Sequence, residues 1–215
     1  MIDLHTHTFF SDGTLTPSEL VYRAKLAGYS GIALTDHGDF TNFDLIIPRM
    51  KKASSDLSKY YNIEVITGIE ITYVPPEKIK NAVALCRKLG AKIVVIHGQT
   101  PVEIVPEGTN LSGIIAKADI IAHPGYISEE EASLAAKLGV CLEITTRNGH
   151  NTTNAHVANT AIKAGAKLVL NSDTHHFTDL LTKETIINTL NASGLNQNTY
   201  REMQENAKSL IGDKK

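Results

Sequence analysis

Short runs of Ile, Val, Leu and Ala recur along the chain, near residues 2 to 4, 31 to 35, 63 to 69, 92 to 96, 119 to 122, 140 to 144 and 167 to 171. Each is brief and almost continuously apolar, the pattern of a parallel strand covered on both faces. Between them lie stretches of helical spacing with legible ends. Thr16-Pro17-Ser18-Glu19 offers an N-cap, a proline at the first helical position and a glutamate at the third, and Gly28 stands where a helix would stop. Ser128-Glu129-Glu130-Glu131 opens another helix that Gly139 closes. Two more are expected over 76–89 and 154–165, and a terminal one from about Asn196 to Gly212, with Asp213, Lys214 and Lys215 fraying beyond it. No linker, fixed-period repeat or low-complexity tract breaks the alternation, so residues 1–215 are expected to form a single domain.

The polar residues that end these runs carry the chemistry. His5 and His7 are separated by one residue, so on an extended strand both point to the same face and can grip one ion. Later runs end on Asp36-His37, Glu70, His97, His123, Glu143 and Asp173-Thr174-His175. In an open sheet such residues would be scattered along a ridge, whereas in a closed parallel (β/α) barrel all strand C-termini meet at one mouth. Convergence therefore favours a TIM-barrel-like fold, with 119–122 as its shortest strand. Mixed imidazole and carboxylate donors suit zinc, manganese or iron, while calcium and magnesium prefer oxygen alone. A carboxylate can bridge two cations, and Glu70 is the candidate for that role.

Composition narrows the classes. With 21 basic against 23 acidic residues and a net charge of -2, no overall positive field draws in nucleic acid, which is disfavoured as an obligatory partner. Cys86 and Cys141 have neither zinc-finger nor disulfide spacing and read as small buried hydrophobes in a reducing compartment. No run reaches the ~18 apolar residues of a membrane span, and no signal peptide is seen, so no membrane partner and a cytoplasmic location are expected.

Taken together, His5-Thr6-His7, Asp12, Thr35-Asp36-His37, Gly68-Ile69-Glu70, His97, Ala122-His123-Pro124 and Ser172-Asp173-Thr174-His175 resemble the PHP (polymerase and histidinol phosphatase) family over residues 1 to about 180. The resemblance implies a distorted seven-stranded (β/α) barrel that holds up to three divalent ions and hydrolyses phosphoesters. Residue by residue, it implies one metal on His5, His7, Glu70 and Asp173, and a second sharing Glu70 and taking His97 and His123. A third would sit on Asp12, His37 and His175, although some members of the family have histidine where this chain has Asp12. The expected reaction is attack on a small phosphomonoester by a metal-activated hydroxide held by Glu70, Asp173 and His123.

Beyond the ligand set, Arg147, in the loop after the sixth strand, is the candidate phosphate-binding residue because guanidinium matches phosphate oxygens in a bidentate way. His150 and His176 are further candidates for substrate contact, while His156, inside a helical pattern, reads as structural. Asp36 and Glu143 are candidates for orienting the ligating imidazoles. The stretch 98–111, with two prolines and little periodicity, reads as a specificity loop. Three other activities stay open: a nucleotide phosphodiesterase or nuclease, a non-catalytic RNA-binding barrel subunit, and an amidohydrolase-like enzyme acting on C-N bonds. The first two call for a basic track, and here the lysines are scattered.

Overall fold

In the computed structural model, residues 1–212 are described, and the expected fraying of Asp213 to Lys215 lies outside them. The strands are β1 (Ile2–Asp3), β2 (Gly31–Leu34), β3 (His37–Gly38), β4 (Glu64–Ile71), β5 (Ile93–His97), β6 (Ile120–Ala122), β7 (Cys141–Thr145) and β8 (Leu168–Asn171). Seven of them form a parallel sheet in the order β1-β2-β4-β5-β6-β7-β8, curled into the expected distorted barrel. The exception, β3, follows β2 after a break at Thr35 and Asp36 and pairs with β4 through His37 opposite Glu70.

Helices α1 (Pro17–Leu26), α2 (Phe43–Tyr61), α3 (Pro76–Leu89), α4 (Thr109–Ile115), α5 (Glu129–Leu138), α6 (Asn154–Ala164), α7 (Lys183–Ala192) and α8 (Gln197–Gly212) surround it. The caps read from sequence are made: Thr16 Oγ1 accepts from Glu19 N at 3.2 Å, and Ser128 and Glu131 form a reciprocal capping box. Helix α4 begins at Thr109, inside the stretch expected to be a loop, which shortens that loop to about residue 108. Among the described residues no helix is long and apolar enough to cross a membrane.

Strand alternation divides the core into two layers. Ala33, Ile66, Ile93, Val95, Ile120, Cys141 and Val169 fill the barrel interior, joined by Leu4. Their neighbours Ile32, Leu34, Ile69, Val94, Ile96, Ile121, Leu142 and Leu170 face outward against Leu20, Ile47, Met50, Ile79 and the other buried faces of the helices. Cys141 belongs to the inner layer and Cys86 to the outer one.

Between β1 and β8 side chains complete the ring. Asn171 Oδ1 accepts from Leu4 N at 2.9 Å, and Asp3 Oδ1 accepts from Ser172 N at 3.2 Å. Burial pushes the Asp3 carboxyl up to about 6. At the mouth, backbone bonds take over: Asp173 N donates to His5 O at 3.0 Å and His7 N to Thr174 O at 2.8 Å. Asn171 Nδ2 also donates to Glu143 Oε1 at 2.8 Å, so one amide ties three strands. Asn171→Leu, close to it in shape, should leave Leu4 N–H unpaired and lower stability by about 1–3 kcal/mol, read as a drop in the urea midpoint with unchanged slope. An unmoved midpoint would show that the seam does not depend on this side chain.

Candidate metal centre

The alternation that fills the barrel also builds its mouth. Glu70 continues the inward phase of Ile66, and His97 that of Ile93 and Val95. Glu143 follows Cys141 in the same way, and Asn171 and Asp173 follow Val169. His123 falls out of phase with Ile120 and Ala122, and its backbone turns at φ 27. Asp173 is likewise left-handed at φ 54. Such conformations cost a non-glycine residue about 1–3 kcal/mol and concentrate at functional sites. The loops that follow His97 and His123 lie backbone against backbone: a Cβ on Gly98 would strike the Ala122 carbonyl, and one on Gly125 the Gln99 carbonyl. At their roots the His97 and His123 rings are 4.5 Å apart.

Glu70 is fully buried at the centre. Its Oε1 lies 3.3 Å from His5 Nε2, 3.3 Å from His97 Nδ1 and 3.7 Å from His123 Nε2. Its Oε2 lies 2.7 Å from His37 Nδ1 and 3.5 Å from His7 Nε2. Asp173 faces the same space, with Oδ1 3.1 Å from His7 Nε2 and 3.6 Å from His5 Nε2, and Oδ2 3.8 Å from His123 Nε2. Nearer solvent, Asp12 Oδ2 lies 3.2 Å from His175 Nε2 and 3.6 Å from His37 Nε2. All nine candidate ligands named from sequence are thus brought to one mouth.

Their donor atoms fall into overlapping groups compact enough for an ion: His5, His7 and Glu70; His5, His123 and Asp173; His37, Glu70 and His97; and His7, Asp12, His37 and His175. Three of the groupings cross the boundaries implied by the family resemblance, because His5, His7 and His37 each border two groups. Among the described residues, both ring nitrogens of His97, Glu70 Oε1 and Asp173 Oδ1 are buried without a hydrogen-bond partner. Protein interiors seldom leave so many polar atoms unmatched, and an imidazole and carboxylate donor set fits zinc, manganese or iron.

Burial opposes charge on His5, His7, His37, His123, Glu70 and Asp173, and their neighbours add to it or outweigh it. Burial alone would depress His5, but the carboxylates of Glu143, Glu70 and Asp173 outweigh it and hold the imidazole well above its ordinary value. His37, half-buried beside Glu70, is raised to about 9 in the same way. Burial, joined by His37, pushes His7 well down, and burial with His97 does the same to His123. Glu70 is held well below the carboxylate range despite its burial, by His5, His37 and His97. Asp173 goes up through burial and the nearby Glu70 charge, which His5 only partly offsets.

The supporting residues divide less evenly. Glu143 holds a candidate ligand, with Oε1 2.9 Å from His5 Nδ1, and its Oε2 accepts from His123 N at 3.0 Å. Asp36 instead bonds the loop after β1, through Thr8 and Ser11. His150 joins the centre, its ring 4.3 Å from that of His123 and its Nε2 3.9 Å from Glu103, a residue sequence reasoning did not single out. Burial and the adjacent His97 depress His150 to about 4. Thr72 was also missed, although its Oγ1 lies 2.7 Å from His37 Nδ1. Arg147 is engaged with Asp179 at 3.3 Å and lines a polar cavity with Thr146, Asn148 and Ser172, separate from the one at Asp12 and His37. His176 is not brought to the cluster; it caps the turn Phe177–Asp179, with Nδ1 2.9 Å from Thr178 Oγ1. His156 bonds Ile127 O at 2.8 Å, the structural role expected of it.

Comparison with known proteins follows the same lines. A sequence profile described as the PHP domain matches residues 3–211. An uncharacterised protein of Methanocaldococcus jannaschii is 46% identical over 184 residues, 85% of this chain and 84% of that protein. The DNA polymerase/3'-5' exonuclease PolX of Bacillus subtilis is 23% identical over 81% of this chain, which spans only 34% of that protein's length. Among solved structures, histidinol phosphate phosphatase from Lactococcus lactis, complexed with zinc, L-histidinol and phosphate, superposes with a TM-score of 0.64 at 17% identity, covering 91% of this chain and 94% of that one. At that identity the likeness speaks for the fold.

Because the apolar core closes below the mouth, protein stripped with a chelator should stay folded. Zinc or manganese added at about a hundred times its Kd should then stabilise it by ~2.7 kcal/mol per site, seen as a rise in Tm. A Tm indifferent to zinc, manganese and iron would argue against a metal centre.

Proposed function

Because the chain belongs to the PHP domain family, we propose that it is a metal-dependent phosphoesterase hydrolysing a small phosphomonoester, histidinol phosphate being the first candidate. The observation that carries this reading is the gathering of six imidazoles, four of them buried, around the buried Glu70 and Asp173 at one barrel mouth. Two or three divalent ions, of zinc, manganese or iron, bound there would supply Lewis acidity and a water of lowered pKa.

The chain's own groups do the rest. Glu70, Asp173 and His123 converge at the inner part of the mouth and would hold ions that supply the nucleophile. Glu143 fixes the His5 ring, and Thr72 the His37 ring, before substrate arrives. Asp12, His37 and His175, nearer solvent, would steady the leaving group in this reading. Beside them a cavity of about 300 Å³ is lined by Asp12, His37, Asp39, Tyr73 and Glu103. Among the described residues no lysine or arginine lines it, which suits a small monoester better than a polyanionic strand. His150, next to His123, is a substrate contact in this reading. Arg147 reaches phosphate only by exchanging Asp179 for it, and His176, which caps the turn that carries Asp179, has no substrate contact in this reading.

The similarity to PolX keeps a second reading in view, a phosphodiesterase or nuclease using the same centre on nucleotides. One panel separates these readings: metal-loaded protein against phosphomonoesters including histidinol phosphate, phosphodiesters, single-stranded RNA and amide substrates. Monoesters should be turned over fastest, and Glu70→Ala and His123→Ala should each lower kcat by several orders of magnitude while the circular dichroism of the barrel is kept. Undiminished activity and full metal content in Glu70→Ala would refute the assignment, and faster diester cleavage would select the second reading.

A further inference from the structure

Asp36 is fully buried between two parts of the candidate centre and belongs to neither. The next residue in the chain is His37, a member of the outer group with Asp12 and His175. The Asp36 carboxylate turns instead to the loop that carries Asp12. Its Oδ1 accepts from Thr8 N at 2.7 Å and from Ser11 Oγ at 2.9 Å, and its Oδ2 accepts from Thr8 Oγ1 at 2.8 Å. Thr8 is in turn the hub of the loop, since its carbonyl accepts from Ser11 N at 3.1 Å and Gly13 N at 3.0 Å. Thr14 N donates to His175 O at 2.8 Å, closing the loop onto the third member of the group.

This arrangement matters because the two kinds of acidic ligand are held differently. Glu70 lies in the β4 ladder and Asp173 at the end of β8, and both are buried, so the barrel itself fixes them. Asp12 stands on a loop with its side chain 55% exposed, and its carboxylate meets the barrel only through the imidazoles of His175, His37 and His7. A ligand on an unsupported loop must be ordered each time an ion binds, which weakens that ion alone.

We propose that Asp36 is the positioning residue of the outermost cation: by clasping the loop that carries Asp12 beside His37, it sets the affinity of that ion and leaves the inner ones unaffected. The inference rests on the metal-centre reading above. Asparagine at this position keeps the shape but removes the negative charge and one of the two acceptor oxygens that the Thr8 hydroxyl meets, so the bonds of the clasp are no longer charge-assisted.

The test is a count of bound ions. The full chain, stripped with a chelator, is dialysed against a series of buffered manganese or zinc concentrations, and bound equivalents are measured by elemental analysis. Asp12→Ala identifies the equivalent that fills last. In Asp36→Asn the midpoint for that equivalent should move about tenfold to a hundredfold toward higher ion concentration, with the tighter equivalents unmoved. Thr8→Val, which removes the hydroxyl bonds to Asp36 at nearly constant shape, should move it the same way by less, and it decides the matter if Asp36→Asn does not fold. A variant curve lying on that of the unaltered protein, a shift shared by all equivalents, or the absence of a separate weak equivalent in the unaltered protein would each overturn the proposal. No substrate enters the measurement, so the phosphomonoester reading can fail while this one holds.

Discussion

Two carboxylates placed out of reach of water, Glu70 and Asp173, impose the constraint around which the mouth of this barrel is arranged. An ionised carboxylate in such surroundings is expensive unless positive charge or hydrogen-bond donors surround it. Here the compensation comes from imidazoles on different strand ends, each delivered by the strand phase or by a bent backbone. The rings are in turn held by partners of their own, Glu143 for His5 and Thr72 for His37. Strain at His123 and Asp173 is tolerated because relaxing it would withdraw a ligand from the others.

Closure of the barrel and construction of the centre are the same event. The strands β1 and β8 meet through side chains, Asn171 on Leu4 and Asp3 on Ser172, and through backbone bonds that involve His5, His7 and Asp173 directly. Asn171 then passes the connection to Glu143, which holds His5 and His123. Fold stability and ligand geometry are therefore linked at the seam, while the apolar layers below it stand apart. The acidic loop residue Asp12 is the exception, exposed and tied to the barrel through its contacts with His175 and His37 and through the bonds that hold its loop.

Much of this was legible in the sequence for a simple reason: parallel strands buried on both faces give uninterrupted Ile and Val runs, and the first polar residue after each run marks the mouth. The seven staves, the caps of α1 and α5 and the meeting of the nine candidate ligands at one mouth follow from that reading and from the family resemblance. What escaped it depends on long-range geometry. Helix α2 contains Pro48, and α4 begins beyond the prolines of the 98–108 segment, so neither shows a clean helical signal. Asn171 looks like an ordinary strand residue until its amide is seen to span the seam. Arg147 reads as a phosphate ligand in sequence because Asp179, which holds it, lies far along the chain and bears no motif. The pairing of Asp36 with Thr8 and Ser11 is equally silent, since an aspartate beside a ligating histidine suggests contact with an imidazole.

The interlocked glycines at the roots of two mouth loops have a bearing on how such a protein can change. Because Gly98 leans on the Ala122 carbonyl and Gly125 on that of Gln99, neither loop can gain a side chain at its base without prising the other away. Variation is thereby channelled outward, to the tips, where Val102, Ile104 and Tyr126 already lie exposed. A lineage descending from this chain would acquire new substrates by redecorating those tips, and the paired bases would persist as an unaltered hinge-less frame beneath them.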